Sequence, residues 1–206
     1  MLRLLTAPQL AQELHRGSFV LDTRSPEQFA AFHIRGSIQI SLMGNFASWS
    51  AIIIDPTQKL ILIAEDYQHA QEAQNRLARV GLAQVIGYAL ADENEWQKAG
   101  PAIGRVSIER CEQIRYTMGS WQLIDVRSRA EWLHGHLPGA ISLPLLDLDS
   151  RKRIVDPSKR GLVYCREGFH ATTAASILLR DSNEDIGILV DGIEGWSALG
   201  LPLEMK

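Results

Sequence analysis

The sequence predicts an α/β protein of two similar domains, each a mainly parallel β-sheet flanked by helices. Short apolar, β-prone runs alternate with helical patterns along all 206 residues, which is typical of parallel strands joined by crossover helices. The chain also repeats itself with a period of about 100 residues. A period of that length indicates two whole domains, expected over residues 1–99 and 106–206, rather than a solenoid of short units.

The repeat is clearest in a segment that contains Asp-x-Arg followed by His-x-x-Gly. Both copies of this segment carry an aromatic residue between the two motifs. The pairs at a constant offset of 103 are Asp22 and Asp125, Arg24 and Arg127, Phe29 and Trp132, His33 and His136, and Gly36 and Gly139.

The predicted elements follow the same order in both copies. The third strand of each copy is continuously apolar, as expected for a strand that is buried on both faces. The first copy is predicted to have helices at 7–14 and 68–80 and strands at 19–22, 37–40, 60–64 and 84–88. The second is predicted to have helices at 107–116 and 169–180 and strands at 122–125, 140–143, 162–164 and 186–190.

Two boundaries rest on local signals. Ser107 is a plausible N-cap for the helix that opens the second copy. Residues 98–105 contain two glycines and a proline, so they are predicted to be a linker.

Composition excludes several functions. The net charge of -3 and the pI near 6.1 argue against a nucleic-acid partner. No apolar run approaches the roughly 20 residues that span a bilayer, and the N-terminal apolar stretch is too short for a signal peptide. The two cysteines, Cys111 and Cys165, form no disulfide framework, so we expect a cytoplasmic protein without a membrane partner.

Cys165 is the candidate nucleophile. It follows a short apolar strand and precedes a glycine-containing loop and a helix rich in small residues. Loop amides and the positive helix end converge at such a turn and favour the thiolate, which is the reactive form. A buried packing cysteine is the alternative interpretation, and it is the preferred one for Cys111.

Three segments of the second copy resemble signatures of the rhodanese superfamily, and the tandem arrangement covers essentially the whole chain. The Asp125 to Ile141 segment resembles the N-terminal signature, and Tyr-Cys-Arg-Glu-Gly-Phe-His at 164–170 resembles the active loop. Residues 191–196 resemble the C-terminal Gly-Gly-x-x-x-Trp feature, with Asp191 in the place of the first glycine. More narrowly, the pair resembles the rhodanese tail of metallo-β-lactamase-fold sulfur (persulfide) dioxygenase fusions; the metallohydrolase part itself is absent from this sequence.

The resemblance implies a sulfurtransferase that carries sulfane sulfur as a persulfide on Cys165. The donor would be thiosulfate or a persulfide, and the acceptor cyanide, glutathione or a protein thiol. Loop amides would stabilise the sulfur anion, and no cofactor is implied. The substrate-binding loop residues are Arg166, Glu167, Gly168, Phe169 and His170.

Asp125, Arg127 and His136 are expected to support the structure, because the same residues recur in the copy that lacks a cysteine. His136 and its neighbour His134 have a metal-like spacing, but no further ligands lie nearby in sequence, so no metal is expected.

The loop departs from the family pattern at its sixth position, where His170 replaces the usual arginine. Two readings of His170 stay open: a donor to an anion when protonated, or an ordinary residue at a helix start. Arg166 either faces the substrate anion, which is the preferred reading, or is simply solvated, and Glu167 is expected to turn outward. We expect the loop amides, the helix end and Arg166 to hold the pKa of Cys165 below the roughly 8.5 of free cysteine.

The first copy is expected to be catalytically silent. Ala64 stands where the second copy has Cys165, and Glu65 and Asp66 after it would repel anionic donors. The competing hypothesis is a non-catalytic tandem rhodanese module that docks onto or regulates a partner in sulfur metabolism, such as a separately encoded sulfur dioxygenase.

Overall fold

The structure is a computed structural model that describes residues 1–151, 154–181 and 185–205. The chain divides into two compact units, Met1–Arg105 and Val106–Lys206. Each unit contains a parallel sheet with flanking helices, which confirms the predicted α/β class. None of the helices in the described ranges is long and apolar enough to cross a membrane.

The first unit is built on a four-stranded parallel sheet. The unit contains six strands in the described residues, four of them in this sheet. They are β1 (Phe19–Asp22), β2 (His33–Ile34), β3 (Ile38–Gln39), β4 (Leu60–Ala64), β5 (Val85–Leu90) and β6 (Ile103–Gly104). The sheet order is β3-β1-β4-β5, and β2 pairs with β6 in an antiparallel ribbon. Its helices are α1 (Ala7–His15), α2 (Pro26–Ala31), α3 (Phe46–Ile53), α4 (Tyr67–Ala78) and α5 (Glu93–Ala99).

The second unit contains a five-stranded parallel sheet. Its strands are β7 (Ser107–Glu109), β8 (Trp121–Asp125), β9 (Ile141–Ser142), β10 (Arg160–Tyr164) and β11 (Ile186–Leu189). The order is β7-β11-β10-β8-β9, which puts β10 at the centre. Its helices are α6 (Cys111–Ile114), α7 (Arg129–His134), α8 (Leu148–Arg151), α9 (Phe169–Asp181) and α10 (Gly192–Ala198).

Two local predictions were wrong, both because of strand pairing across long sequence distances. Residues 107–116 do not form one helix: β7 pairs in parallel with β11, and the helix α6 begins only at Cys111. Residues 98–105 are not a free linker, because β6 pairs with β2 inside the first unit. A capping serine or a glycine-proline pair is a local signal, and sheet hydrogen bonds outweigh it.

The capping box explains why the helix after Asp-x-Arg starts at the same place in both units. The hydroxyl of Ser128 accepts a hydrogen bond from the amide of Glu131, and the Glu131 side chain accepts one from the Ser128 amide in return. Ser25 and Gln28 make the same reciprocal pair at the start of α2. The box satisfies amides that lack partners within the helix, and it fixes the turn that follows β1 and β8.

The core of the second unit positions a loop at the carboxyl end of β10. Residues 171–178 of α9 are all buried, and the six that precede Ile177 are Ala, Thr or Ser. These small side chains let the helix lie close against the sheet. Tyr164, the last residue of β10, pairs with Asp125 at the end of β8, so the residue that follows Tyr164 emerges at the edge where both strands end.

Candidate active site

Cys165 lies at the base of the loop between β10 and α9. Only 2% of the residue is exposed. The amide of Gly168 donates a hydrogen bond to its Sγ over 3.1 Å, and the amides of Glu167, His170 and Ala171 also act on the sulfur. Four backbone amides therefore surround one sulfur atom, an arrangement that stabilises negative charge on it.

The loop is held in place by α10. The amide of Ile193 donates to the carbonyl oxygen of Cys165 over 3.0 Å, and the amide of Glu194 donates to that of Arg166 over 3.3 Å. Gly192 makes this approach possible, because a Cβ there would collide with the carbonyl of Arg166. The sequence signal was the glycine of the segment at 191–196, whose role is to admit the loop backbone.

The predicted low pKa of Cys165 was wrong. Burial raises the pKa of the Cys165 thiol above its ordinary value, and the hydrogen bonds from the four loop amides only partly offset this effect. Desolvation disfavours the charged thiolate more than the amides favour it. Arg166 does not compensate, because its guanidinium bonds to Glu194 over 2.6 Å at the exposed surface.

Asp125 and Arg127 form a buried ion pair below the loop. The Nε of Arg127 donates a hydrogen bond to Oδ1 of Asp125 over 3.0 Å, and its NH2 group donates one to Oδ2 over 2.6 Å. The NH2 group also donates to the carbonyl of Gly135 over 2.7 Å. Asp22 and Arg24 make the same two-pronged pair in the first unit. Because this ion pair is present both in the unit with the loop cysteine and in the unit without it, we interpret it as a structural brace between a strand end and the following turn.

Tyr164 belongs to this brace, a role that was not predicted from the sequence. Its hydroxyl accepts a hydrogen bond from the amide of Leu137 over 3.1 Å and interacts with the carboxylate of Asp125. Burial, followed by the charge of Asp125, raises the pKa of Tyr164. No sequence signal distinguishes this tyrosine from an ordinary strand residue, since its partners are 27 and 39 positions away.

His136 is packed rather than reactive in this structure. Its ring stacks on Trp132 at a centroid distance of 3.9 Å, and its Nδ1 lies 2.9 Å from the carbonyl of Trp132. His33 stacks on Phe29 in the same way at 4.0 Å. In the described ranges, no three His, Cys, Asp or Glu side chains come together as a metal site.

An open cleft of about 600 Å³ adjoins the loop. Its lining includes the apolar residues Ile193 and Leu203. Arg127, Glu131 and the exposed ion pair of Arg166 with Glu194 also line it. Of these residues only Arg127 and Arg166 were singled out from the sequence; Glu131 was hidden in the capping box and Glu194 in the segment at 191–196.

The remaining loop residues differ in exposure. Phe169 is 45% exposed, and Glu167 points to solvent, as expected. Partial burial lowers the pKa of His170, although the nearby charge of Glu131 opposes this shift. This shift reduces the fraction of His170 that is protonated at neutral pH, which weakens the reading of His170 as a cationic donor to an anion.

The equivalent loop of the first unit is built differently. Helix α4 begins at Tyr67, and the carboxylate of Asp66 accepts a hydrogen bond from the amide of His69 over 2.7 Å. Tyr67 occupies the position of Gly168, and His69 that of His170. In the first unit the His69 amide is thus hydrogen-bonded to the Asp66 carboxylate, whereas in the second unit the equivalent amide, that of His170, acts on the sulfur of Cys165.

Cys111, the second cysteine, is fully buried at the start of α6. Its Sγ lies 3.4 Å from the carbonyl of Gly192. Burial, reinforced by the charge of Asp191, raises the pKa of Cys111 to about 12. A neutral, inaccessible thiol is a packing group, which agrees with the interpretation preferred from the sequence.

The protein is therefore a tandem α/β protein built from two parallel-sheet units. One unit has a cysteine surrounded by backbone amides at a strand-to-helix turn. The family model for the rhodanese-like domain matches residues 6–99 and 111–199. The chain belongs to the rhodanese-like domain family and carries the domain twice.

Individual relatives are distant. The chain is 31% identical over 100 residues to the HTH-type transcriptional regulator Rv0324 of Mycobacterium tuberculosis, covering 48% of this chain and 44% of that protein. It is 30% identical over 81 residues to a sulfurtransferase of Allochromatium vinosum, covering 39% of this chain and 76% of that one. The thiosulfate sulfurtransferase GlpE of Coxiella burnetii is 26% identical over 87 residues, covering 38% and 81%. The chain thus spans less than half the length of the mycobacterial regulator.

Two solved structures align with parts or all of the chain. The thiosulfate sulfurtransferase of Pseudomonas aeruginosa aligns with 99% of this chain and 44% of its own, at 18% identity and a TM-score of 0.40. A rhodanese-related protein of Thermoplasma volcanium aligns with 48% of this chain and 99% of its own, at 21% identity and a TM-score of 0.46. The family assignment rests on the match of the rhodanese-like domain to residues 6–99 and 111–199.

Proposed function

We propose that the protein is a sulfurtransferase that carries sulfane sulfur as a persulfide on Cys165. The observation that carries the proposal is the set of four amides around Sγ, one of them at 3.1 Å. Two relatives named as sulfurtransferases support the reaction class. Both cysteines are buried, but the Sγ of Cys111 lies against the carbonyl of Gly192, whereas that of Cys165 is met by loop amides, so Cys165 is the candidate nucleophile.

The sulfur-transfer step requires a thiolate and a sulfane sulfur. Cys165 loses its proton, and the thiolate attacks the outer sulfur of a persulfide R–S–SH. The Cys165 S–S bond forms as the donor S–S bond breaks, and the leaving thiolate R–S⁻ takes up a proton. The loop amides then hold the negative charge of the outer sulfur. A thiolate or cyanide then attacks the outer sulfur, the S–S bond to Cys165 breaks, and the Cys165 thiolate leaves and regains its proton, with a new persulfide or thiocyanate as the product.

The direct test is the mass of the intact protein after incubation with thiosulfate or glutathione persulfide. We expect a gain of about 32 Da, the mass of one sulfur atom, removed again by cyanide or a reducing thiol. Cys165→Ser should remain unmodified, and Cys111→Ser should behave like wild type. An adduct on Cys111, or none with any sulfane donor, contradicts the proposal.

The absence of an adduct with any sulfane donor would favour the alternative function, a non-catalytic docking module. In that case the tandem domains would bind a partner in sulfur metabolism, in line with the resemblance to the rhodanese tail of sulfur dioxygenase fusions. The cradled cysteine is the reason we place the enzyme first.

A further inference from the structure

The cleft beside the Cys165 loop has an excess of negative charge. Its two guanidinium groups are already paired, Arg127 with Asp125 at 2.6 Å and Arg166 with Glu194 at 2.6 Å. Glu131 lines the same cleft and adds a third carboxylate. A dianion such as thiosulfate would therefore meet two arginines whose charges are already offset, together with one additional carboxylate.

Neighbouring groups do not reverse this charge. The hydroxyl of Ser128 donates to the Glu131 carboxylate over 2.6 Å, which lowers the pKa of Glu131 and keeps it ionised. Partial burial lowers the pKa of His170, so its imidazole contributes less positive charge at neutral pH than a free histidine does. Glu167, within the loop itself, is a further carboxylate. The charges around the entrance favour a cation over an anion.

The remaining surface of the cleft is apolar and suits a short alkyl chain. Ala130, Ile193 and Leu203 contribute to its lining. The amide of Ile193 bonds to the carbonyl of Cys165, and the charge of Glu131 acts on Arg166 and His170 of the loop, so the cleft lies beside the loop. A donor with its sulfur at Cys165 would place a tail of two or three carbons along this patch, between Glu131 and Glu194.

Building on the sulfurtransferase activity proposed above, we propose that this cleft selects sulfane donors whose tail carries an ammonium group, that is, persulfides of small aminothiols. Glu131, the carboxylate in excess of the two arginine pairs, receives the ammonium, Glu194 keeps Arg166 offset, and the apolar patch contacts the carbons. The sulfur step is the one already written, with R an aminoalkyl group, and the aminothiol leaves. Thiosulfate is a poor donor by the same reasoning.

The test compares three donors that differ only in the tail: the persulfides of cysteamine, 2-mercaptoethanol and 3-mercaptopropionate. The rate constant for the mass gain on Cys165 should fall in that order for the wild type. An exposed charge contact is worth a factor of about three to ten at low salt, and 1 M salt should compress the series because it screens such contacts.

Variants locate the effect. Glu131→Gln and Glu194→Gln should each reduce the preference for the cysteamine persulfide over the carboxylate one several-fold. Asp185→Asn is the matched control, because Asp185 forms an exposed pair with Arg160 at 2.7 Å at the opposite end of β10. It should leave the preference unchanged.

The outcomes separate the two proposals. Equal rates for all three donors in the wild type, or glutamate variants that match Asp185→Asn, overturn the ammonium preference while sulfur transfer stands. No adduct with any donor overturns sulfur transfer and this inference with it.

Discussion

The amide of Gly168 donates to Sγ of Cys165 over 3.1 Å, and it faces the sulfur because Gly168 has a φ of +94°. A Cβ at this position would lie 2.5 Å from the carbonyl oxygen of Val190. The loop and the strand end of β11 therefore fit together only when residue 168 has no side chain.

Gly168→Ala should slow persulfide formation on Cys165 by about tenfold or more, because the displaced loop no longer directs its amides at the sulfur. The measurement is the rate of mass gain with a sulfane donor. Gly200→Ala is the control: Gly200 also has a positive φ, of +66°, but a Cβ there meets nothing within 4 Å. Equal rates for the two variants would mean that the loop geometry does not govern the reaction.

The raised pKa of Cys165 predicts how its reactivity depends on pH. Below the pKa, the thiolate fraction grows about tenfold for each pH unit. The alkylation rate of Cys111→Ser by iodoacetamide should therefore rise log-linearly from pH 6 to beyond pH 8.5, the ordinary range for a thiol. A plateau below pH 7 would show that the loop amides outweigh burial, as the sequence alone suggested.

The position of the reactive loop could be predicted from the sequence, but the burial of the Cys165 thiol could not. A cysteine between an apolar run and a helix, followed by Gly168, identifies the turn. Burial of Cys165 depends on Val190 and Gly192, which lie more than 20 positions away and close over the loop. Local signals favour a thiolate, and the competing desolvation becomes visible only when these distant residues are in place.

The fold also was predicted where it depends on local signals and missed where it depends on residues far apart in the chain. The repeat around Asp22 and Asp125 predicted two α/β copies, because the residues that brace each turn are local to it. The strand at Ser107–Glu109 was missed, because its partner is β11, about 80 residues later in the chain. Glu194 was missed for a similar reason, since its importance comes from Arg166, 28 positions away.

The first unit should stay silent even with a cysteine restored. In an Ala64→Cys, Cys165→Ser protein, Asp66 still occupies the amide of His69, and Tyr67 cannot take the place of Gly168. We expect no mass gain with a sulfane donor under conditions that fully modify the wild type. Cys165→Ser alone is the control, and modification of the new cysteine at the wild-type rate would refute this account of the loop.

The ion pairs below the two loops should matter for stability. Arg127→Met leaves the fully buried Asp125 carboxylate without its partner, which typically costs about 3–5 kcal/mol. Arg24→Met should destabilise the first unit by a similar amount, since Asp22 is equally buried. Urea unfolding, followed by tryptophan fluorescence, measures both effects.

The double variants Asp125→Asn, Arg127→Met and Asp22→Asn, Arg24→Met provide the matched comparison. Each should recover part of the loss, because no buried charge remains unpaired. Single variants as stable as the wild type would show that the pairs do not brace the turns.

His170→Arg should improve the use of thiosulfate. Burial lowers the pKa of the native imidazole, so His170 acquires a charge only below its ordinary value of 6.5, whereas arginine is charged at every accessible pH. A permanent cation beside the loop would offset Glu131 and raise kcat/KM for thiosulfate by about tenfold at low salt. His170→Gln, which stays neutral, is the control and should show no gain. In the wild type, thiosulfate use should rise only as the pH falls below 6.5 and His170 gains its proton. If arginine and glutamine at this position give the same kcat/KM for thiosulfate, residue 170 does not take part in anion binding.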